Sequence, residues 1–301
     1  SADITFGNLE SQLADLGGET QSPTNEYRFA GPPAGADSLA AAGFDIVSLA
    51  NNHMWDYGKD RLFETIDNLD RVQVKYAGAS RTTDNLYQPV IIEIKGQKIA
   101  WFAVTALLNG YEKSGAKDYV AWADDDHLIT AIQTIKPTVN WVIVSMHRGV
   151  EYQSTPSSTQ IEFAHKVIDA GANIVIGHHP HVPQGIEEYI SKSESSPPAE
   201  RIGETSSPPA RGGVGGGGSI DKKGIIFYSL GNFAFWQPFD YWTQHSFAVE
   251  ITLHPDGKID QIIIPIDAGW QPKLSDEIDQ AKIKEYLIKL SDKLNGISEN
   301  K

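Results

Sequence analysis

The chain has 301 residues, of which 40% are hydrophobic and 21% charged, with a formal net charge of −14 and no cysteine. This composition is typical of a globular protein that buries a substantial core, as one large domain or two small ones. The acidic balance argues against nucleic acid or an anionic membrane bound through bulk charge, and the absence of cysteine excludes disulfides and thiolate metal ligands. No stretch approaches the ~20 apolar residues of a membrane-spanning helix, so we expect the chain as given to be soluble.

The N-terminal half predicts short strands alternating with helices, because apolar runs alternate with segments of helical periodicity. Residues 11–34 are rich in Gly, Pro, Ser and Thr and predict a long surface loop. Asp37 is placed to cap the first helix, and Gly43 is placed to end it. The predicted elements of this half are strands at 3–7, 44–50 and 74–78, a hairpin at 89–105, and helices at 37–43, 58–72 and 124–135.

The C-terminal half continues the strand–helix–strand order, which implies a mostly parallel, buried sheet. Between two of its strands, residues 191–223 are dominated by Ser, Pro, Gly, Glu and Lys, a composition typical of flexible linkers. We interpret this segment as an insertion within one domain, either a natural exposed loop or an engineered splice. The predicted elements of this half are strands at 141–147, 174–177 and 224–233, a helix at 157–170 ended by Gly171, a hairpin at 245–266 and a closing helix at 275–294.

Three histidines follow the apolar run 174–177 within four positions, at His178, His179 and His181. Because side chains alternate along an extended backbone, His179 and His181 are expected to point to the same side. Two imidazoles on one side of a strand end predict a pair of metal ligands. The alternative is a solvated loop that happens to be rich in histidine.

Polar clusters also follow three other strand-like runs. If these strands are parallel neighbours, all the clusters meet on one rim, where open α/β sheets bind their ligands. Imidazole, amide and carboxylate ligands without thiolate suit Zn, Mn, Fe or a pair of such metals. The alternative to metal binding is a purely structural role for each cluster: a hydrogen-bonded histidine at the sheet edge, asparagines that form a turn, and residues that cap a loop. These three clusters are Asn8 with Glu10, Asn52 with His53, and His147.

Five motifs, taken together and in this order, resemble those of the bacterial CapA family. That family comprises capsule or poly-γ-glutamate synthesis proteins related to calcineurin-like metallophosphoesterases, and the resemblance covers roughly residues 1–270. The motifs are Gly-Asn-Leu-Glu at 7–10, Ser-Leu-Ala-Asn-Asn-His at 48–53 with Asp-Tyr-Gly at 56–58, His-Arg-Gly-Val-Glu-Tyr at 147–152, Gly-His-His-Pro-His at 177–181 with Gln-Gly at 184–185, and Tyr-Ser-Leu-Gly-Asn-Phe at 228–233.

The resemblance implies an α/β fold, a metallophosphoesterase-like four-layer α/β/β/α sandwich. It implies one domain over residues 1–301 that lacks the family's opening strand, which should supply a metal-ligand aspartate. It also implies divalent metal ions, Mn, Zn or Fe, two of them in the intact family site.

The resemblance also assigns roles to individual residues. His53 is expected to be the substrate-facing acid, and Arg148 is either a fork for a carboxylate or phosphate or a surface replacement. The expected metal ligands are Glu10, Asn52, His147, His179 and His181, and the expected substrate-binding residues are Asn8, His178 and Asn232.

Three functions follow as alternatives. The first is a metal-dependent hydrolase or transferase that acts on phosphate esters or on amide bonds of an acidic polymer. The second is a non-catalytic accessory protein for capsule polymer assembly or export, and the third is a degenerate member without metal. The expected partners are an acidic polymer or phosphate-containing substrate and capsule-synthesis membrane proteins, and no nucleic acid. By resemblance, the parent protein is extracytoplasmic and anchored to the membrane through a segment absent here.

Overall fold

The computed structural model describes residues 2–15, 27–123, 126–191 and 223–296, and within them it contains fourteen strands and six α-helices. The strands are Phe6–Asn8 (β1), Gln12–Leu13 (β2), Ala30–Gly31 (β3), Ile46–Ser48 (β4), Lys75–Ala77 (β5), Val90–Ile94 (β6), Gln97–Thr105 (β7), Trp141–His147 (β8), Ile174–His178 (β9), Ile186–Ile190 (β10), Lys223–Phe227 (β11), His245–Leu253 (β12), Ile259–Asp267 (β13) and Lys273–Leu274 (β14). The helices are Ala34–Ala41 (α1), Gly58–Arg71 (α2), Asp126–Ile135 (α3), Ser158–Ala170 (α4), Tyr241–Gln244 (α5) and Glu277–Leu294 (α6).

The central sheet has six strands in the order β10-β11-β9-β8-β7-β6. Its four inner strands are mutually parallel, and antiparallel strands flank them on both sides. Every residue of β8 is buried, as expected for a parallel strand covered on both faces. The prediction of a mostly parallel, buried sheet is therefore confirmed.

The two faces of the central sheet pack against different layers, because side chains alternate along each strand. On β7, Ala100, Phe102 and Val104 belong to the core cluster shared with helices α3 and α4. The intervening Ile99 and Trp101 belong to a second cluster on the opposite face. The central sheet is thus covered by helices on one face and by β-structure on the other.

The second β layer consists of two small sheets, β1-β4-β5 and β12-β13-β14. Ile46 of β4 and Phe247 of β12 face the central sheet. On the outer side of β4, Val47 packs in a third cluster with Leu62 and Ile66 of helix α2. The layers therefore run helix, sheet, sheet, helix, which confirms the predicted α/β class and the four-layer α/β/β/α sandwich.

Local signals explain where helix α4 begins and ends. The Ser157 hydroxyl accepts from the Gln160 N–H, and the Gln160 side chain bonds back to the Ser157 backbone, which forms a capping box. Gly171 ends the helix with φ of 121°, a conformation that L side chains rarely adopt. Both signals are local, and the predicted helix is confirmed.

Two predictions for the N-terminal region were wrong. The first helix begins at Ala34, after Pro33 at the N-cap, so Asp37 lies within its first turn and does not cap it. The predicted loop at 11–34 contains the paired strands β2 and β3, and its residues 16–26 lie outside the described residues. The two short strands pair with each other in parallel. The limits of the loop therefore depend on this pairing between distant residues, which the composition of the segment does not reveal.

Strand β10 was not predicted. It pairs antiparallel with β11, so that Ile190 lies opposite Lys223. Ile190 directly precedes the predicted flexible insertion at 191–223, and Lys223, its last residue, already belongs to β11; residues 192–222 lie outside the described residues. The single-domain assignment and the linker character of the insertion stay predictions.

No helix in the described ranges is long and apolar enough to cross a membrane.

Candidate metal centre

The carboxyl ends of four strands from two different sheets bring the predicted polar clusters together. Strands β1 and β4 are parallel neighbours in the small sheet, with Asn8 opposite Ser48. Strands β8 and β9 are parallel neighbours in the central sheet, with His147 opposite His178. The sequence suggested that the four strands are neighbours in one sheet. The structure places them in two different sheets. The clusters converge because the two sheets pack face to face.

His147 lies at the centre of the cluster. Its Nε2 lies 2.8 Å from Asn52 Oδ1 and 3.7 Å from Glu10 Oε1. Its ring centroid lies 5.0 Å from that of His179. Ligand atoms of Glu10, His147 and His179 all lie within 4.8 Å of one another. Two ligands of one ion, each at about 2.1 Å, are about 3 Å apart, and the separation of 3.7 Å between His147 Nε2 and Glu10 Oε1 is close to that value.

The backbone at the two closing histidines is not extended. Strand β9 ends at His178, and φ is 100° at His179 and 61° at His181. The interpretation that these side chains share a side through strand alternation was therefore wrong. Their ring centroids are nevertheless 6.2 Å apart, because left-handed residues turn the chain back toward the cluster.

Asn232 orients the ring of His181. The Asn232 amide nitrogen donates to the backbone carbonyl of Thr243 and to Gln237 Oε1, which leaves its oxygen facing His181 Nδ1 at 2.8 Å. His181 Nδ1 must therefore carry a proton, so that in the neutral ring Nε2 is the nitrogen with the free lone pair. A hydrogen bond of this kind on the remote ring nitrogen is the usual support of a metal-binding histidine. Asn232 was predicted to bind substrate, and its contacts are those of a positioning residue.

Asn8 supports Glu10 in the same way. Asn8 Nδ2 donates to Glu10 Oε2 at 2.9 Å, and Asn51 Nδ2 donates to Asn8 Oδ1 at 3.2 Å. Burial raises the pKa of the Glu10 carboxyl to about 7, and this outweighs the nearby His181, which acts in the opposite direction. Such a carboxyl gains from a nearby cation, because the cation favours its ionised form.

The imidazoles of His147 and His179 are neutral at ordinary pH. Burial lowers the pKa of His179 to about 3 and places that of His147 well below its usual range, with neighbouring histidines adding to both effects. Within the described part of the chain, Glu10 Oε1, His147 Nδ1 and His179 Nδ1 are buried without a hydrogen-bond partner. Buried polar atoms normally have partners, so these groups fit a divalent ion such as Mn, Zn or Fe.

His53 forms a buried pair with Asp56. Asp56 Oδ2 lies 2.7 Å from His53 Nδ1 and also accepts from the backbone N–H of Phe29 at 2.7 Å. The ring of Phe29 lies 4.2 Å from that of His53. A catalytic role was predicted for His53 from the sequence, but none was predicted for Asp56. The available signal was that Asp56 follows His53 by three residues.

Arg148 and His178 lie beside the cluster. The Arg148 guanidinium carbon lies 5.6 Å from the ring centroid of Phe163 in helix α4. The His178 ring lies 6.0 Å from that of Phe6, and burial lowers its pKa to about 4. Neither residue belongs to the group of converging ligand atoms. Their catalytic and substrate-binding roles stay predictions.

Aromatic side chains pack around His181. Phe235 and Tyr152 both stack near His181, at 5.6 and 5.9 Å between ring centroids. Phe239 packs against Tyr152 at 4.9 Å and is 62% exposed. No role was predicted from the sequence for these aromatic residues, and for Phe235 and Phe239 the available signal was the density of Phe, Trp and Tyr in 233–242.

Residues 1–237 match the family described as "Bacterial capsule synthesis protein PGA_cap". The capsule biosynthesis protein CapA of Bacillus anthracis is 29% identical over 259 residues, which cover 84% of this chain and 55% of that protein. A probable polyglutamine synthesis accessory protein of Mycobacterium tuberculosis is 26% identical over 204 residues, covering 64% and 53%. The solved NAD nucleotidase of Haemophilus influenzae is 13% identical, with a TM-score of 0.48 over 85% of this chain and 48% of that chain. The chain thus spans just over half the length of these curated relatives. Because the family match covers most of its residues, the chain belongs to the bacterial capsule synthesis protein family PGA_cap.

Proposed function

We propose that this chain is a metal-dependent hydrolase or transferase of capsule polymer synthesis. The bond attacked is a phosphate ester or an amide bond of an acidic polymer such as poly-γ-glutamate. The observation that carries the proposal is the convergence of the Glu10 carboxyl with the imidazoles of His147 and His179, each of which has one buried polar atom without a hydrogen-bond partner among the described residues. The residues that would hold the ion are Glu10, Asn52, His147, His179 and His181.

A divalent ion, when bound there, supplies Lewis acidity and positive charge beside the reacting bond. The charge matters because the protein is acidic and the proposed polymer is a polyanion, so attraction between them has to be local. Exposed aromatic side chains such as Phe239 would line the approach to the ion and limit the access of water.

The pair formed by His53 and Asp56 would handle the proton of the leaving group. With Asp56 accepting from His53 Nδ1, the ring is held in one orientation and Nε2 is left to deliver a proton. The backbone N–H of Phe29 holds the same carboxylate oxygen, so the carboxylate is itself fixed. His53 is therefore the proposed general acid, and Asp56 its positioning residue.

The experiment measures metal content and turnover together. The parent protein is loaded with Mn or Zn, desalted and compared with the double variant His179→Ala/His181→Ala. The control is His254→Ala, which removes a partly exposed histidine outside the cluster. We expect bound metal and turnover of bis-p-nitrophenyl phosphate or poly-γ-glutamate in the parent and control. Both should be lost in the double variant. Metal binding without turnover of either substrate would refute the catalytic proposal.

Asp56→Asn separates positioning from metal binding. The amide keeps the size of the side chain but favours the wrong histidine tautomer, so we expect turnover to fall about 100-fold or more. Metal content should be unchanged, because Asp56 is not among the proposed ligands. Equal turnover in the variant and the parent would exclude His53 as the acid.

A second candidate function is that of a non-catalytic accessory protein that holds the polymer during assembly or export. The observation in its favour is the printed name of the M. tuberculosis relative, an accessory protein of polyglutamine synthesis. On this proposal, poly-γ-glutamate binds to the metal-loaded chain without turnover and is released by EDTA. Binding that survives EDTA, or no binding with metal present, would count against it.

The proposed setting for both functions is outside the cytoplasm, in a longer membrane-anchored protein that works with capsule-synthesis membrane proteins. Fractionation of cells that express the full-length protein tests this, and recovery in the soluble cytoplasmic fraction would contradict it.

A further inference from the structure

A second group of metal-ligating side chains lies apart from the proposed catalytic cluster. It joins the start of β12, the end of β13 and the first turn of α6 through His245, Asp267 and Asp279, whose ligand atoms all lie within 4.8 Å of one another. His245 and Asp267 are directly opposite in the antiparallel pair. The side chains are 17%, 23% and 22% exposed, so an ion from solution can reach them.

The orientation of His245 is fixed from the far side of its ring. Nδ1 lies 2.8 Å from the backbone carbonyl of Tyr241, which can only accept, so Nδ1 carries the proton. The Tyr241 ring also stacks on the imidazole, at 3.9 Å between centroids and 12° between planes. Nε2 is thereby directed at the two carboxylates, with the backbone support that metal-binding histidines usually have.

The distances in this group are too long for hydrogen bonds. Nε2 of His245 lies 3.8 Å from Asp267 Oδ1 and 3.5 Å from Asp279 Oδ2, whereas N–H···O bonds measure about 2.7–3.2 Å. Ligands of a tetrahedral zinc ion, at 2.0–2.1 Å from the metal, are about 3.3 Å apart. The observed separations therefore match the edges of a coordination shell better than a hydrogen-bonded ion pair.

The remaining contacts leave the inner oxygens available. Lys273 approaches the other oxygen of Asp267 at 3.5 Å. The other oxygen of Asp279 accepts from the Tyr241 hydroxyl at 2.6 Å and from Lys282 Nζ at 3.3 Å. Among the atoms of the described residues, Asp267 Oδ1 is buried without a hydrogen-bond partner. The outer oxygens are thus held in place while the inner pair faces the imidazole.

A second His–Asp pair in the same hairpin serves as an internal comparison. His254 Nε2 lies 2.8 Å from Asp260 Oδ2, an ordinary hydrogen bond, and no group of three potential ligands in the described residues includes it. The hairpin therefore carries one pair that is complete as an ion pair and one group whose donor atoms are held apart.

We propose that His245, Asp267 and Asp279 bind a divalent ion of the zinc class, which ties helix α6 to the β12–β13 hairpin. The site takes one imidazole nitrogen and two carboxylate oxygens, with water as the fourth ligand, and it is structural rather than catalytic. It is independent of the proposed hydrolase function, because it shares no ligand with the Glu10–His147–His179 cluster.

The test compares zinc content after EDTA treatment, zinc loading and desalting. His245→Ala and Asp279→Asn should each bind about one ion fewer per chain than the parent, whereas His254→Ala should bind as many as the parent. His179→Ala/His181→Ala should keep this ion, which separates a failure here from a failure of the proposed catalytic centre. Cobalt loading of that double variant should give the visible absorption of tetrahedral Co²⁺.

A measurement on the unmutated protein covers the case in which a variant does not fold. Hydrogen exchange of the parent should slow in residues 241–247 and 277–283 when zinc is added, and no such change should occur around 254–260. Unchanged zinc content in both His245→Ala and Asp279→Asn would overturn the proposal. Exchange in 277–283 that does not respond to zinc would overturn it as well.

Discussion

Replacing Glu10 with Gln should stabilise the metal-free protein and weaken its metal binding. Burial raises the pKa of the Glu10 carboxyl from 4.5 to about 7, so the ionised form is disfavoured in the fold. That interval corresponds to about 3.4 kcal/mol at 1.36 kcal/mol per pKa unit. Because the side chain is 23% exposed, solvent screens part of this, and we expect a gain of about 2 kcal/mol.

The gain should depend on pH in a defined direction. At pH 4 the carboxyl is protonated in the folded and unfolded chains alike, so the variant and the parent should be nearly equal. Between pH 4.5 and 7 the unfolded chain loses its proton first, so the parent loses stability as pH rises. Above pH 7 the difference should be constant at its full value.

Urea unfolding in EDTA at pH 5, 6, 7 and 8 measures the difference. Glu151→Gln is the matched control, because Glu151 is an exposed carboxylate that also acts on Glu10, and its effect should stay below about 0.5 kcal/mol. A Glu10→Gln variant no more stable than the parent at pH 8, or a gain independent of pH, would refute the reasoning.

Saturating metal should reverse the order of stabilities. An ion at 100 times its dissociation constant stabilises the parent by about 2.7 kcal/mol, whereas the variant lacks a charged ligand and gains less. Metal affinity of the parent should fall as pH decreases below about 7, because the Glu10 carboxyl must then release a proton to bind. Titration calorimetry at pH 6 and 8 measures both effects, and pH-independent affinity would contradict the assignment of Glu10.

Two further substitutions test other parts of the structure. Asn232→Leu removes the acceptor that orients His181 and should lower metal affinity about 10–100-fold, measured by titration calorimetry. Gly177→Ala places a methyl group 2.0 Å from the Tyr228 carbonyl oxygen and should cost about 3 kcal/mol or more in urea unfolding. Gly257→Ala has open space around it and only a backbone cost of about 1–2 kcal/mol, which makes it the control.

Gln237→Ala is the control for Asn232→Leu. It removes the acceptor of one Asn232 N–H but leaves the hydrogen bond between His181 Nδ1 and Asn232 Oδ1 intact. Equal metal affinity in Asn232→Leu and Gln237→Ala would show that orientation of His181 is not what Asn232 provides.

The fold was predictable wherever the signals are local. Strand β8 was predicted with its observed bounds because it is an almost continuous apolar run, interrupted only by Ser145 before His147 ends it. Helix α4 was predicted because Ser157 and Gly171 mark its limits. Strand β10 was missed because Glu187 and Glu188 interrupt the apolar pattern. Glu187 is buried since it accepts from the Tyr228 hydroxyl at 2.5 Å, a partner 41 positions away in sequence.

The candidate site was predictable in its residue types but not in its geometry. The residues Glu10, Asn52, His147 and His179 were identified from polar clusters at strand ends, which is where such sheets bind ligands. The hydrogen bonds of Asn8 to Glu10 and of Asn232 to His181 could not be read from sequence spacing, and the substrate-binding roles of both residues stay predictions. Asp56 was overlooked for the same reason, since its role depends on the rotamer of a neighbouring histidine.

Periodicity and the histidine motifs by themselves indicated most of the strands and helices, the α/β class and the candidate residues with metal-ligand chemistry. Only the tertiary structure decided that these residues come from two sheets and that the closing histidines have left-handed backbones. The physical reason is range. Backbone preference and hydrophobic alternation act over a few residues, whereas ligand positions and pKa values depend on burial and on partners that only packing brings together.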